Sequence, residues 1–273
     1  MKKYVQLLVC LAVLAAPSMR SVDAAEPITP RGRPIILFNG KDLTGFITWL
    51  KATGHEDPDS TFSVKDKTLH VSGKGLGYAA TEKAYKDYRL TLEYRWGERT
   101  DGSKFVRNSG VLLHGIGRDG SRDGVWMNSI ECQLAQGCEG DLIVIQGTGN
   151  DVAQRAATIS SDTKVAADGR TRWTPGGTKT VYSGKQFWWN NHQVGFEELL
   201  DTRGKDDVAS PLGEWTRVEC ICDGDRITIK INGITVNQCY DVYPSAGKIL
   251  LQNEANEVYF RNVVLHPLPR NLR

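Results

Sequence analysis

The sequence predicts an all-β fold, a sandwich of two antiparallel sheets. Short runs with apolar residues at every second position recur from Pro34 to Leu268, the period of a strand with one buried face. Asp223-Gly224 and Asn232-Gly233 separate such runs and are strong two-residue hairpin signals. Helical periodicity is nearly absent, with only Gly195 to Leu200 hinting at a short helix. Chains of many strands and few helices close a core by packing sheet on sheet.

The 273-residue chain opens with two lysines, an apolar run from Val5 to Ala16 and then small residues. This is the pattern of a secretory leader, and the run is too short to span a membrane. Val22-Asp23-Ala24 offers a small-x-small cleavage site. Residues 1–24 are therefore expected to be the signal peptide and 25–273 one exported domain, periplasmic or secreted. Cys10 follows Val9 and sits too early for a lipid anchor. Lys2, Lys3, Arg20 and Asp23 leave with the leader, taking the formal net charge from +2 to zero. A balanced surface argues against nucleic acid or anionic membrane as the main partner.

Of six cysteines, Cys132, Cys138, Cys220, Cys222 and Cys239 remain after cleavage. An odd number leaves at least one thiol free or paired between chains. Cys132 and Cys138 could close a small loop. Cys220 and Cys222 share a strand face, and the CxC spacing lacks the paired CxxC of most zinc sites.

Taken in order, Ile35 to Trp49 reads as a short strand, an Asn39-Gly40 turn and a second strand, which is hairpin punctuation. Lys51 to Ser60 is a polar loop whose His55, Glu56, Asp57 and Asp59 lack calcium-loop spacing. A hairpin is expected about Lys65-Asp66-Lys67. A long strand follows, with Leu90, Leu92, Tyr94 and Trp96 inward and Thr91, Glu93 and Arg95 outward. Leu142 to Gln146 is another apolar run. Residues 147–211 are rich in Gly, Thr, Asp and Lys but too long for one structureless loop, so strands such as Lys179 to Tyr182 are expected. The two hairpin turns then make a three-stranded meander with Ile227, Ile229 and Ile231 inward. Strands over Lys248 to Gln252 and Glu257 to Leu265 complete the chain.

The richest stretch runs from Arg107 to Asp141. In its two strand-like runs, Gly110 to His114 and Ser129 to Leu134, alternation puts Ile130, Cys132 and Leu134 on one face and Ser129, Glu131 and Gln133 on the other. One face is core and the other a candidate site, with Arg107, Asn108, His114, Trp126 and Asp141 close by in sequence. Asp141 could equally cap a turn after Gly140. Trp188, Trp189 and His192 could wall a sugar or simply pack the long insertion. Arg261 reads as an anchor of the sandwich through backbone hydrogen bonds, in preference to a ligand role.

Taken together, LFNGKDLTGF, KDYRLTLEYRW, NSGVLLH, SIECQL, PLGEWTRVE, INGITV and GKILLQNEANEVYFRNVVLHPL, in that order from about Ile35 to Leu268, resemble the 3-keto-disaccharide hydrolase domain family. The resemblance implies a concanavalin-like jelly-roll β-sandwich and activity on glycosides whose sugar carries a 3-ketone. Two departures stand out: residues 150–210 are longer and more divergent, and the usual glycine-bearing turn before the last strand is Asn253-Glu254-Ala255-Asn256.

A 3-ketone acidifies the proton on C2, so a carboxylate can remove it while the C1 substituent leaves, and water then adds. The route needs a base at C2, an enolate stabiliser and an acid at the glycosidic oxygen. Glu131 is the expected base and His114 the acid, with Arg107 or a bound divalent cation stabilising the enolate. Asn108, Gln133, Trp126 and Asp141 are expected to bind the sugar. No other cofactor is implied. An ordinary glycosidase would need a second carboxylate, from Asp141 or Glu254. A carbohydrate-binding module on the same fold would need none.

Overall fold

The structure, a computed structural model, describes residues 25–147 and 156–269; the expected leader lies outside the described residues. Seventeen strands and no helix make up the regular structure of those residues. In chain order they are β1 (Ile35–Ile36), β2 (Phe46–Leu50), β3 (Phe62–Lys65), β4 (Thr68–Val71), β5 (Leu76–Thr81), β6 (Tyr88–Trp96), β7 (Gly110–Ile116) and β8 (Asn128–Gln133). After these come β9 (Leu142–Ile145), β10 (Thr158–Val165), β11 (Thr171–Trp173), β12 (Thr178–Val181), β13 (Thr216–Asp223), β14 (Arg226–Ile231), β15 (Ile234–Tyr243), β16 (Lys248–Glu254) and β17 (Val258–Pro267).

The strands form two antiparallel sheets, the sandwich expected of the sequence. The larger runs β11-β10-β15-β14-β13-β6-β17-β4-β3, with β1 added on β17 and β12 on β10; the smaller runs β2-β5-β16-β7-β8-β9. In both, strands distant in sequence lie side by side. The first strand meets the last where β1 pairs with β17, β6 also pairs with β17, and β7 pairs with both β8 and β16.

The main core lies between the sheets. Leu90, Leu92, Tyr94 and Trp96 of β6 and Ile227, Ile229 and Ile231 of β14 face inward as the alternation requires, against Val111, Leu113, Ile130 and Cys132 of the smaller sheet. Burying each isoleucine contributes about 1.5–3 kcal/mol. The smaller sheet also carries an apolar cluster on its outer face, built on Tyr78, Ala80, Leu112, Met127, Ile145 and Leu250. It is flanked by Ile47, Trp49 and Trp126.

Turn chemistry explains where local expectations hold and fail. Asp66 and Lys67, and again Asn232 and Gly233, all take positive φ, as a two-residue type I′ hairpin requires. The meander's other turn sits one residue later than expected: Asp223 pairs with Arg226, so Gly224 and Asp225 form the loop. Asn39-Gly40 makes no hairpin. The Asn39 side chain accepts from the Lys41 and Asp42 amides at 2.7 and 3.0 Å, capping a crossover that sends β1 to one sheet and β2 to the other. Gly195 to Leu200 is not helical. Three strands, β10 to β12, take up part of the insertion, and Phe187 and Trp189 are buried in the main core. All five described cysteines are free and buried, so Cys132 and Cys138 close no loop.

Candidate active site

The site is built on the outer face of the smaller sheet. Ile130 and Cys132, on either side of Glu131, point into the main core. Glu131 therefore points outward, level with Leu112 of β7 and Ile143 of β9. It is 5% exposed. Its carboxyl passes over Gly110, where a Cβ would collide with Oε1 of both Glu131 and Gln252. Gly110 is thus the gap in the sheet that lets these side chains meet.

Around that meeting point lie polar atoms that the fold leaves without partners. Gln252 is fully buried, and neither its amide nitrogen nor its oxygen has a hydrogen bond. Asn108, two residues before Gly110 and on the same face, has an unpartnered Oδ1, and Glu254, two residues beyond Gln252, an unpartnered Oε2. A buried polar group without a partner costs about 1–3 kcal/mol. Four such atoms converging from β16 and the approach to β7 are a concentration that packing alone does not justify.

Burial pushes the Glu131 carboxyl well above the usual range, and the charge of Glu254 pushes it further, while the neighbouring Gln252 amide pulls the other way. Burial also raises Glu254, to about 7. Two carboxyls in one low-dielectric pocket resist simultaneous ionisation, so the pair tends to hold one proton between its members.

Gln133 lies on the same face, but its Oε1 accepts from the Leu134 and Ala135 amides at 2.9 and 3.1 Å and so shapes the turn after β8. Trp126 is half-buried with its ring 6.5 Å from that of Tyr78. Tyr78 donates to Asp119 at 2.6 Å, and Trp49 donates to Gly124 at 3.2 Å. These bonds fold the loop between β7 and β8 over the apolar end of the face.

Three expected members are not brought here. His114 is fully buried on the inner side, its ring 5.8 Å from that of Tyr88 and its Nδ1 2.9 Å from Pro244 O. The cause is a bulge: β7 slips register between Leu113 and Ile116, His114 takes φ 56°, and two consecutive side chains enter the core. Burial lowers its imidazole to about 4. Arg107 faces away from Asn108; it donates to Asp201 at 2.7 and 3.3 Å and to Gly97 O at 2.9 Å. It therefore ties the insertion to the sandwich. Asp141 accepts from the Trp189 amide at 2.6 Å and from Gln186 at 2.8 Å. It anchors the insertion rather than capping a turn for the site.

Trp189 is core, and Trp188 lies under the Arg170 guanidinium at 4.2 Å, so that aromatic patch packs the insertion. Arg261 pairs with Glu93 at 2.6 Å, so it anchors through an ion pair and not through the backbone hydrogen bonds expected. Among the described residues no group of three or more His, Cys, Asp or Glu side chains is arranged to hold a metal ion. Reasoning from the sequence missed Gln252 as a site residue and weighed Glu254 only as an alternative. The signal was present in KILLQNE, where Leu250, Gln252 and Glu254 alternate with core residues as Glu131 and Gln133 do.

A comparison with curated proteins gives no significant match. Among solved structures, a Parabacteroides distasonis protein assigned to the glycosyl hydrolases is similar over 86% of this chain and 94% of its own, at 18% identity and a TM-score of 0.50. The carbohydrate-binding module CBM66 from Bacillus subtilis is similar over 81% and 94%, at 12% identity and a TM-score of 0.46. The Bacillus licheniformis β-glucanase is similar over 86% and 97%, at 10% identity and a TM-score of 0.43. The likeness to the first is one of fold, the concanavalin-like sandwich. The model of the 3-keto-alpha-glucoside-1,2-lyase-like domain matches residues 33–266, nearly all of the described sandwich, and the chain belongs to that family.

Proposed function

We propose that this chain is an exported enzyme that cleaves 3-keto-glycosides by removing the C2 proton and expelling the C1 substituent. The observation that carries the reading is the buried carboxyl at Glu131 beside Gln252 and Glu254, whose side chains hold unpartnered buried atoms. A binding surface for neutral sugars needs hydrogen-bonding groups and aromatic platforms. It has no need of a carboxyl held far above its ordinary pKa, whereas a base that must take a carbon-bound proton gains driving force from that shift.

In the proposed reaction the Glu131 carboxylate takes the C2 proton. The C2–H electron pair becomes the C1=C2 bond, the C1–O pair leaves with the aglycone oxygen, and that oxygen is protonated. Addition of water across the double bond then gives the free 3-keto-sugar. Negative charge building on the 3-keto oxygen needs a donor. With Arg107 engaged by Asp201, the amide of Gln252, beside Glu131, is the group for that task, and Asn108 accepts from a sugar hydroxyl. A preorganised donor of this kind is worth about 2.7–4 kcal/mol in the transition state.

Hydrolysis of an unoxidised glycoside is the second reading, because Glu254 supplies the second carboxyl such a mechanism needs. Incubating the purified chain with a 3-keto-glucoside and, separately, its parent glucoside decides between them. Cleavage of the ketone alone supports elimination. Cleavage of the parent favours the ordinary glycosidase, and binding without cleavage of either favours a carbohydrate-binding module.

A further inference from the structure

We propose that Glu254 is the second proton-transfer group of this site, giving the glycosidic oxygen its proton while Glu131 takes the one from C2; this rests on the elimination reading above. Elimination of a poor leaving group requires an acid, and the expected one, His114, is sealed between the sheets. Among the other groups near the outer face, Tyr182 feels the charge of Glu131, but burial and that charge hold its hydroxyl proton tightly, and the rest are already committed. Tyr78 is fully buried and spends its hydroxyl proton on Asp119, and His55 sits beyond Asp119, 3.5 Å from its far oxygen. His192 is packed with Cys138 and Arg172 in the insertion.

Among the described residues, Glu254 alone combines a carboxyl on the face of Glu131, a buried oxygen with no partner and electrostatic contact with Glu131 itself. Its position is fixed by the pairing of its own residue with Leu76 at the start of β5. Next to it, Asn253 donates to Lys74 O and Gly75 O at 2.7 and 3.1 Å. Just beyond, Ala255 adopts φ 60°, a conformation usually left to glycine. The strand thus runs straight through Glu254 and bends only after it.

The proton count closes. The reactive arrangement is the one in which the pair's single proton sits on Glu254 and Glu131 is ionised; it is the minor arrangement at rest, because burial and the charge of Glu254 both favour the proton on Glu131. Elimination moves the C2 proton to Glu131 and the Glu254 proton to the departing oxygen, so the pair carries one negative charge before and after. Hydration reverses both transfers: water bonds to C1 and yields its proton to Glu254, and Glu131 returns its proton to C2. A buried pocket never has to hold two charges at once.

The test compares Glu254→Gln with wild type on methyl and 4-nitrophenyl 3-keto-glucosides. An alkoxide needs an acid and 4-nitrophenolate does not. The expected result is a loss of about 100-fold or more in kcat on the methyl glycoside and a change under about fivefold on the nitrophenyl one, with the alkaline limb of the pH profile gone. Equal loss on both substrates, or none on either, overturns the assignment. Carboxyl-carbon NMR of the unliganded protein supplies a readout free of turnover. Glu131 should titrate lower in Glu254→Gln than in wild type, and an unchanged Glu131 also overturns it. Wild type that cleaves neither ketone while this coupling is present refutes the elimination reading, and the role of Glu254 with it, but not the pairing of the two carboxyls.

Discussion

Replacing Gly110 by alanine puts one methyl group where the Glu131 and Gln252 side chains cross. Gly110 does not have positive φ, so alanine suffers no backbone strain; the whole effect comes from its Cβ, which meets an oxygen of each side chain. Overpacking of this kind costs about 1–3 kcal/mol. Loss of glycine's freedom in the unfolded chain returns about 0.4–1 kcal/mol, leaving a net destabilisation of up to about 2.5 kcal/mol, centred on about 1 kcal/mol. For a domain of this size that central value lowers Tm by roughly 2–4 °C. The larger effect falls on catalysis, because displacing the carboxyl by about 1 Å costs on the order of 100-fold. Differential scanning calorimetry and turnover of a 3-keto-glucoside measure the two effects. A variant with wild-type turnover refutes the claim that the crossing over Gly110 is the reactive centre.

His114 lies in the core, so His114→Gln should leave turnover within a few-fold. Its folded pKa, about 4, is below the unfolded value of about 6.5. The neutral buried ring therefore contributes stability that is intact above pH 6.5 and lost as pH falls toward 4, about 2 kcal/mol of it between pH 7 and 5. Urea midpoints at the two pH values should converge less in wild type than in the variant. Arg107→Lys breaks the paired contact with Asp201 and should destabilise the chain by about 1–2 kcal/mol with kcat nearly unchanged. A large fall in kcat would restore Arg107 to the site. The five described cysteines should resist a thiol reagent in the native protein and all react after denaturation; a shortfall after denaturation would reveal a disulfide. Intact mass of exported protein should correspond to a chain starting near Ala25, and a mass that includes Met1 would contradict export by cleavage.

Much of the fold was legible because alternation is a local property. Leu90 to Trp96 and Ile227 to Ile231 announce an inward face without any knowledge of the partner strand. The first hairpin was misread because Asn-Gly also suits an Asx-capped crossover, and only the long-range pairing of β1 with β17 and of β2 with β5 separates the two. On the outer face, Glu131 and Gln133 followed from the period of the strand, and Asn108 from its proximity in sequence. His114 did not, because a bulge breaks that period. Arg107 and Asp141 were grouped with Glu131 for proximity in sequence, yet Arg107 is one residue out of phase with Asn108, and Asp141 serves an insertion whose course no local signal revealed. Gln252 and Glu254 come from the opposite end of the chain and meet Glu131 only because β16 lies beside β7.

The most direct test of the central claim is solvent isotope incorporation at C2. A 3-keto-glucoside incubated with the enzyme in deuterium oxide should yield product carrying deuterium at C2 beyond the uncatalysed background. Glu131→Gln should bind the same ketone yet incorporate none above that background, since the amide keeps the shape but cannot accept the proton. Cleavage by wild type without C2 deuterium, or undiminished incorporation by Glu131→Gln, would contradict proton abstraction by Glu131.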